Sequence, residues 1–580
     1  MEIKRHIIPV ALFAVLVITF VSFYPCLCNG FTLWDDDRFV TENNLIRDLS
    51  FPGIARIFSE VQYFNYNPLT LLSYAAEYHF VGLGDPFVFH ATNLVLHLLN
   101  SILVFWFIRL ISKNTAVSFI TALLFGIHPM HVESVAWISE RRDVLYSFFF
   151  MSSLVAYFYY LKKNKNAGYY CLSLCLFLFS ILSKTMAATM PAVLLLVDYL
   201  MHRKIDRKAL LEKAPFLAIS CVFCTITYFA QKSGGCIGQG GFDPANNAAV
   251  AIYGLGFYLE KLVFPAGLSA FYPYPNGINS AIGGIFLPSL PLLLAISVAV
   301  VISARYTRKA VFGAIFFLAV ISPVIKFVSL GRAIAADRYV YIAYIGLFYI
   351  IAEGLCYLSR KGGLYKTAVI ALSVAFICLF SFLTWQRCSV WKDDISLWDD
   401  ALKRYPSTEA YLGRGIAHAN AGRIDEAMRD YNKALEIDPY FSDIYTNRGN
   451  LYAARAELDK AMEDYSMAIR LSPGAYKPYY NRGVIYNRTG DYGKSIPYFS
   501  EAIKLKPDCV EAYCGRGASF GNIGEEDKAI LDFNKAILID PGCREAYRNR
   551  ITYYKAKGET AKAAEDIRRL RELENIVSSP

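Results

Sequence analysis

Three consecutive aspartates, Asp35, Asp36 and Asp37, stand in "FTLWDDDRFVTENN" at residues 31–44, soon after a strongly apolar stretch. Like charges packed this closely are costly unless something uses them. A carboxylate can accept the proton of a hydroxyl group, and nearby cations can stabilise a departing phosphate. The triplet therefore indicates group-transfer chemistry in which an acceptor hydroxyl is deprotonated.

Cationic, acidic and imidazole groups recur in three further short stretches: "HPMHVESVAWISERRDVL" at 128–145, "ILSKTM" at 181–186 and "AADRYVYI" at 335–342. We expect these groups on one face of a membrane, where they would bind the phosphate of a lipid-linked donor. The residues predicted for the donor phosphate or the pocket are His90, Asn93, His97, His128, His131, Glu133, Arg141, Asp143, Lys184, Asp337 and Arg338.

Some of these residues also have simpler interpretations. His90, Asn93, His97 and Asn100 follow each other at spacings of 3, 4 and 3, which predicts one polar stripe along a helix, directed toward a cavity. A single histidine can equally be a satisfied buried group, and Lys184 could reach the membrane interface. His128, His131 and Glu133 favour hydrogen bonding over a zinc site, because no further ligand is evident.

The elements that position these groups are membrane helices. The chain has 580 residues, 55% of them hydrophobic, and a mean hydropathy of +0.32, which indicates a membrane protein. Eleven spans are predicted, at 7–24, 88–110, 115–128, 144–161, 168–183, 186–201, 214–231, 285–303, 310–328, 339–358 and 366–385. The segment 248–265 contains Glu260 and Lys261, and is predicted to be interfacial or re-entrant.

The net charge of +10 is carried by basic clusters in every second loop, such as "KKNK" at 162–165 and "HRKIDRK" at 202–208. This pattern sets membrane orientation and does not indicate nucleic-acid binding. The N-terminus is then cytoplasmic, and the loops 25–87, 129–143, 232–284 and 329–338 face outward, together with the turn at about residue 184 and everything after residue 386. The sequence therefore predicts a multi-pass protein of a bacterial inner membrane, with the C-terminal domain in the periplasm.

The last third of the chain contains a repeat. Prolines 439, 473, 507 and 541 recur every 34 residues, as do a tyrosine and an arginine, and this period is the tetratricopeptide signature. Gly415 is predicted to allow close helix contact, and a fifth unit with Ile551 at the glycine position is predicted to cap the array. Asn447, Asn481 and Asn549 could hydrogen-bond an extended peptide, or could be solvated helix positions.

The predicted fold is therefore all-α: a polytopic membrane domain (1–386), a linker (387–404) and a tetratricopeptide α-solenoid (405–575). Taken together, "WDDDR", "FHATNLVLH", "LLFGIHPMHVESVAWISERRDVL", "LSKT", "DRYVYI" and the repeats resemble the transmembrane and tetratricopeptide-repeat O-mannosyltransferases. This family is related to the protein O-mannosyltransferases and belongs to the GT-C class of membrane glycosyltransferases.

The resemblance implies a polyprenyl- or dolichyl-phosphate sugar donor, and an aspartate of the first outer loop as catalytic base. By motif position, Asp35 would be the base and Asp36 its partner. Two departures from the family pattern are Thr185, where an acidic residue is usual, and Asp337, where Glu is usual. No cofactor is certain, and the adjacent aspartates could hold Mg²⁺ or Mn²⁺.

The predicted function is transfer of a sugar, such as mannose, to Ser or Thr hydroxyls of exported proteins recruited by the repeats. Two alternatives stay open. One is transfer to a glycan or lipid acceptor, and the other is a non-catalytic, membrane-anchored scaffold. The expected partners are membrane lipids, the lipid-linked donor and a polypeptide, with no nucleic acid.

Overall fold

The computed structural model describes residues 2–233, 244–274, 289–325 and 332–578, and these residues are mainly helical. They form two units, Met1–Pro406 and Ser407–Pro580. The helices of the first unit are α1 (Glu2–Phe23), α2 (Phe51–Ser59), α3 (Pro68–Val81), α4 (Phe87–Ser112), α5 (Thr115–Ile127), α6 (Val132–Ala136), α7 (Arg141–Lys162), α8 (Ala167–Ser183), α9 (Met190–Leu200), α10 (Arg207–Leu211), α11 (Ala214–Ser233), α12 (Pro244–Val263), α13 (Ser289–Ser303), α14 (Arg308–Ile321), α15 (Tyr344–Ser359), α16 (Gly363–Cys388) and α17 (Asp394–Arg404). The all-α prediction is confirmed.

Short irregular elements connect these helices. A π-helical turn spans Asp37–Thr41, and an antiparallel pair of short strands joins β1 (Tyr272–Pro273) to β2 (Ala333–Ala335). The 3₁₀ segments are Tyr24–Cys28, Asn44–Arg47, Pro129–His131, Ile138–Glu140, Thr185–Thr189, Ser322–Val324, Asp337–Val340 and Ser389–Trp391. Several of them carry the predicted site residues.

The apolar helices establish a membrane protein, but the count of eleven spans is not confirmed. Within the described ranges, five helical stretches are long and apolar enough to cross a bilayer, or six if α5 and the following turn, bent by 55°, form one span. Shorter apolar helices lie at Ala167–Ser183, Thr185–Leu200, Ser289–Ser303 and Tyr344–Ser359. Parts of the predicted spans 285–303 and 310–328, and of the loops 232–284 and 329–338, lie outside the described residues.

Two segments that were not predicted as membrane spans, 248–265 and 387–404, are largely helical. Most of 248–265 belongs to α12, and residues 387–404, predicted as a linker, contain the end of α16 and all of α17. The side chain of Asp393 caps α17 by accepting a hydrogen bond from Ser396 N at 2.8 Å. Helix α17 buries Leu397 and Trp398 in the first unit.

Helices of the first unit approach closely where glycine faces glycine. A Cβ atom at Gly313 of α14 would lie 2.3 Å from the carbonyl oxygen of Gly346 in α15, and one at Gly346 would lie 2.2 Å from the Gly313 oxygen. Neither position has room for a side chain. This contact helps to fix α15, which begins just after the predicted site segment at 337–338.

The second unit is a series of helical hairpins, as the 34-residue period predicts. Its helices are α18 (Thr408–Asn420), α19 (Ile424–Ile437), α20 (Ser442–Ala454), α21 (Leu458–Leu471), α22 (Tyr476–Arg488), α23 (Tyr492–Leu505), α24 (Val510–Asn522), α25 (Glu526–Ile539), α26 (Arg544–Ala556) and α27 (Thr560–Ser578). The expected role of Gly415 is confirmed, because a Cβ there would lie 2.5 Å from the Tyr431 ring. Ile551, at the glycine position of the last hairpin, is buried.

Candidate functional site

The loop that carries the aspartates is anchored by tryptophans. The ring of Trp34 lies 5.1 Å from Trp137, 6.4 Å from Trp391 and 4.8 Å from Trp398, measured between ring centroids. The next residue, Asp35, has a φ of 73°, in the left-handed region that aspartate tolerates better than most residues. The backbone therefore turns sharply between an anchored indole and the acidic groups.

Asp36 is fully buried and links the acidic loop to the segment that contains Ser139. Its Oδ2 atom accepts hydrogen bonds from Thr32 N at 2.9 Å and Thr32 Oγ1 at 3.0 Å, and its Oδ1 atom accepts from Ser139 N at 2.8 Å and Ser139 Oγ at 2.5 Å. Burial raises the pKa of the Asp36 carboxyl to about 7, although these hydrogen bonds oppose the rise. Asp36 thus fixes the acidic loop against the segment 138–140.

Asp35 occupies a different environment from Asp36. Its side chain is 28% exposed and pairs loosely with Arg38, at 3.6 Å between Oδ1 and Nη1. Asp37 accepts a hydrogen bond from Arg38 N at 2.8 Å, and burial raises the pKa of its carboxyl. Asp35 and Asp37 are thus both partly exposed beside Arg38, whereas Asp36 is buried.

Three cations converge on the buried carboxylate of Glu140. Arg142 donates from Nε to Oε2 at 3.0 Å and also reaches Oε1 through Nη2. Lys184 Nζ lies 3.1 Å from Oε2, and Arg338 Nε lies 3.2 Å from Oε1. These cations come from separate parts of the chain, and Glu140 connects them.

Two more carboxylates complete this cluster. Lys184 Nζ lies 2.6 Å from Asp143 Oδ1, and Arg338 pairs with Glu133 through both its guanidinium and its backbone N–H. The carboxylates of Glu133, Glu140 and Asp143 are at most 1% exposed, whereas the side chains of Arg142, Lys184 and Arg338 are 12%, 15% and 18% exposed. The carboxylates therefore lie behind the cations, and the cations form the accessible layer. We call these six residues the charge cluster.

Asp337 lies beside the charge cluster. Its Oδ1 atom accepts a hydrogen bond from Tyr272 Oη at 2.7 Å. Burial, followed by the charge of Glu133, raises the pKa of the Asp337 carboxyl to about 7. The guanidinium carbon of neighbouring Arg338 lies 5.5 Å from the Trp137 ring centroid. Trp137 also contacts Trp34, so the cluster and the acidic loop share one indole.

The predicted polar stripe lies in the protein interior. His90, Asn93, His97 and Asn100 are all buried in α4. His90 Nε2 contacts Gly30 O at 3.3 Å, and His97 bonds Tyr341 Oη at 2.7 Å and Gly126 O at 3.0 Å. These side chains connect α4 to the loop at Gly30 and to neighbouring helices. The structure does not bring them together with the charge cluster, and their pocket role stays a prediction.

His128, His131 and Arg141 are also fully buried. His128 Nε2 contacts Leu262 O at 3.1 Å, and His131 Nδ1 contacts Phe125 O at 2.8 Å. Arg141 donates to Asn93 Oδ1 and to the Phe89 carbonyl oxygen, and it pairs with Glu77. Arg141 thus pairs with a carboxylate inside the protein, Glu77, whereas Arg142 pairs with Glu140 in the charge cluster.

The three asparagines predicted for acceptor binding lie on first helices of the repeats. Asn447 donates to the Asp443 carbonyl oxygen of its own helix at 2.9 Å, and Asn481 donates to Asn450 Oδ1 at 2.7 Å. Asn549 is half-buried on α26. Asn447 and Asn481 therefore have partners within the repeats, and acceptor binding stays a prediction for all three.

Sequence reasoning missed Glu140 and Ser139, which hold the cations and Asp36. The available signal was the run "ISERRD", in which an acidic residue precedes two arginines predicted on the outer side. Among the described residues, no group of three or more His, Cys, Asp or Glu side chains is placed to bind a metal ion.

The fold and the site together define a membrane protein that holds an accessible aspartate and a charge cluster in its first unit and helical repeats in its second. Tetratricopeptide repeat models match residues 408–441, 430–463, 476–509 and 510–543. Two solved repeat proteins are also similar to about a third of this chain, with low TM-scores. The crystal structure of MamA is 26% identical (TM-score 0.27; 29% of this chain, 97% of that chain), and YrrB, "a TPR protein with an unusual peptide-binding site", is 22% identical (TM-score 0.27; 31% and 92%).

Curated relatives extend into the membrane unit. Protein O-mannosyl-transferase TMTC1 of Homo sapiens is 25% identical over 430 residues, covering 65% of this chain and 48% of the relative. Protein O-mannosyl-transferase F38B6.6 of Caenorhabditis elegans is 21% identical over 455 residues, covering 73% and 62%. The chain thus spans about half to three-fifths of the length of these relatives. The resemblance to transmembrane and tetratricopeptide-repeat O-mannosyltransferases is confirmed.

Proposed function

We propose that this protein is a membrane glycosyltransferase of the GT-C type, which transfers a sugar from a polyprenyl- or dolichyl-phosphate donor to Ser or Thr hydroxyls of exported proteins. The names of the relatives support mannose as the sugar. We further propose a bacterial inner membrane, with the acidic loop and the repeats both on the non-cytoplasmic side. The alternation of basic loops along the sequence supports this orientation.

Asp35 is the general base of the proposed reaction. As the acceptor oxygen attacks the anomeric carbon, Asp35 takes the hydroxyl proton, and the bond between that carbon and the phosphate oxygen breaks. The bonding electrons leave with the lipid phosphate, and the configuration at the anomeric carbon inverts. The partial exposure of Asp35 supports this role, since a base must reach the incoming hydroxyl. Asp36 acts as a positioning residue through its bonds to Thr32 and Ser139.

The arrangement of the charge cluster carries this proposal. Three cations and three carboxylates balance formally, but only the cations retain accessible surface. A donor phosphate would therefore meet Arg142, Lys184 and Arg338, while the buried carboxylates hold these side chains in fixed positions. Cations that are already oriented stabilise a leaving phosphate without reorganisation during the reaction. The bonds from Asp36 to Ser139 hold the acidic loop next to the segment that carries Glu140 and Arg142, which supports a common site for base and phosphate.

The test uses purified protein in proteoliposomes with radiolabelled dolichyl-phosphate mannose and a Ser/Thr-rich peptide. We expect transfer by the wild type, and a kcat about 10²–10⁴-fold lower for Asp35→Asn, the usual effect of losing a general base. The matched control is Asp37→Asn, in the same triplet, which should keep its activity. Equal activity of Asp35→Asn and wild type would contradict the assignment of the base. A lack of transfer by well-folded wild type to any peptide would favour a scaffold or a different acceptor.

A further inference from the structure

The repeats contain a recurring ion pair within each hairpin. In four hairpins, an arginine of the first helix donates from Nε and Nη2 to both carboxylate oxygens of an aspartate sixteen residues later, at 2.6–2.8 Å. The pairs are Arg414–Asp430, Arg448–Asp464, Arg516–Asp532 and Arg550–Asp566. This bidentate geometry makes a strong and directionally specific ion pair between guanidinium and carboxylate.

The third hairpin breaks the pattern. Tyr498 stands where the other four hairpins have aspartate, so Arg482 has the same position in its helix but lacks that carboxylate. The guanidinium carbon lies 4.6 Å from the Tyr498 ring centroid, and Nη1 donates to Ser466 Oγ at 3.1 Å. The equivalent Nε–H group binds aspartate in the other hairpins, but here it is buried and no described residue accepts its hydrogen bond. A buried donor left unsatisfied costs roughly 1–3 kcal/mol, so a ligand acceptor would relieve a real cost.

The surroundings of Arg482 are unusually basic and aromatic. Residues 476–509 contain six Lys and Arg against three Asp and Glu, whereas 442–475 contain four against five and 510–543 contain three against six. Tyr498 stacks on Tyr486 with centroids 5.5 Å apart, and the Lys494 ammonium lies 5.7 Å from the Tyr486 centroid. Two cations thus flank a pair of stacked rings. The positive excess belongs to this hairpin and not to its two neighbours in the array.

We propose that the third hairpin is a binding site for a carboxylate of a bound polypeptide, which pairs with Arg482 as aspartate pairs with the equivalent arginine in the other hairpins. The carboxylate would lie against Nε and Nη2 of Arg482, with the Tyr498 ring covering the guanidinium face. The proposal rests on the proposed function only in taking that polypeptide to be the acceptor. It predicts that acceptors carry an acidic side chain, or a free C-terminus, near the modified hydroxyl.

The test measures binding of three fluorescent peptides to the full-length protein in nanodiscs by anisotropy. The first is a Ser/Thr/Gly peptide with one Glu and an amidated C-terminus, the second has Gln in place of Glu, and the third is the Gln peptide with a free C-terminus. We expect the wild type to bind the Glu peptide about 10-fold or more tightly than the amidated Gln peptide, as for a charge-assisted hydrogen bond. Tight binding of the third peptide supports the same site, with the chain terminus as the source of the carboxylate.

Tyr498→Asp gives a sharp control, because it restores the pair seen in the other four hairpins. This variant should fold with an unchanged or higher Tm and lose the preference for carboxylates, whereas Tyr498→Phe keeps the ring and should keep the preference. Equal binding of all three peptides by the wild type, or an undiminished preference in Tyr498→Asp, would overturn the proposal. Binding is measured without a donor, so its outcome is separate from that of the transfer assay.

Discussion

Glu140→Gln tests whether one buried carboxylate organises the charge cluster. The change removes the negative charge that Arg142, Lys184 and Arg338 share, while it preserves the size of the side chain. Breaking a buried ion pair by removing one partner costs about 3–5 kcal/mol. Lys184 keeps Asp143 and Arg338 keeps Glu133, so only Arg142 is left without a carboxylate inside the cluster. We therefore expect destabilisation near the lower limit, about 3 kcal/mol.

The assay is thermal unfolding of the purified protein in detergent, followed by tryptophan fluorescence. We expect a clear fall in Tm for Glu140→Gln and partial recovery for Glu140→Asp, which keeps the charge on a shorter side chain. Glu60→Gln serves as the control because it removes a carboxylate from an exposed pair with Arg56, and exposed pairs contribute little. The reasoning is refuted if Glu140→Gln melts with the wild type or no lower than Glu60→Gln.

Two further predictions concern pH and packing. Since the native pKa of Asp36 is about 7, above its usual value, the folded state binds a proton that the unfolded chain releases at lower pH. The stability that this proton contributes to the wild type is lost as pH rises through 7, whereas Asp36→Asn has no carboxyl to titrate. The Tm of Asp36→Asn minus the Tm of the wild type should therefore increase from pH 5 to pH 8. A difference that stays constant or falls would contradict this prediction. In the repeats, Gly449→Ala would place a Cβ 2.6 Å from the Tyr465 ring, and we expect it to destabilise by about 1–3 kcal/mol. Gly474→Ala should be neutral, because no described atom lies within 4 Å of a Cβ at that position. Hydrogen exchange of the repeats measures both variants, and similar protection in the two would contradict the packing argument.

Regular spacing in the sequence predicted the regular parts of the fold. The 34-residue period correctly gave the hairpins and the role of Gly415, because each hairpin meets the same packing requirement. Hydropathy correctly predicted a membrane protein but did not settle the number of spans. A run of apolar residues does not reveal whether the helix bends within it. The 55° break after α5 is such a case.

The candidate site was predictable in its residue types but not in its connections. The sequence placed Asp35 and Asp36 together, yet only the tertiary contact with Ser139 distinguishes the buried carboxylate of Asp36 from the accessible one of Asp35. The spacing of the α4 stripe correctly suggested one face. Its partners, such as the Gly126 carbonyl group of α5, lie on other parts of the chain, which periodicity cannot locate. Glu140 was missed because its role depends on groups far away in the chain.

The proposed mechanism requires the acidic loop, the charge cluster and the repeats to lie on the same, non-cytoplasmic side of the membrane. Single cysteines at the exposed positions Asp85, Lys163 and Lys477, in a background with the accessible native cysteines replaced, test this with a membrane-impermeant maleimide on sealed cells. The account predicts labelling at 85 and 477 from outside, and at 163 only after permeabilisation. Labelling of 85 and 477 from opposite sides would contradict it.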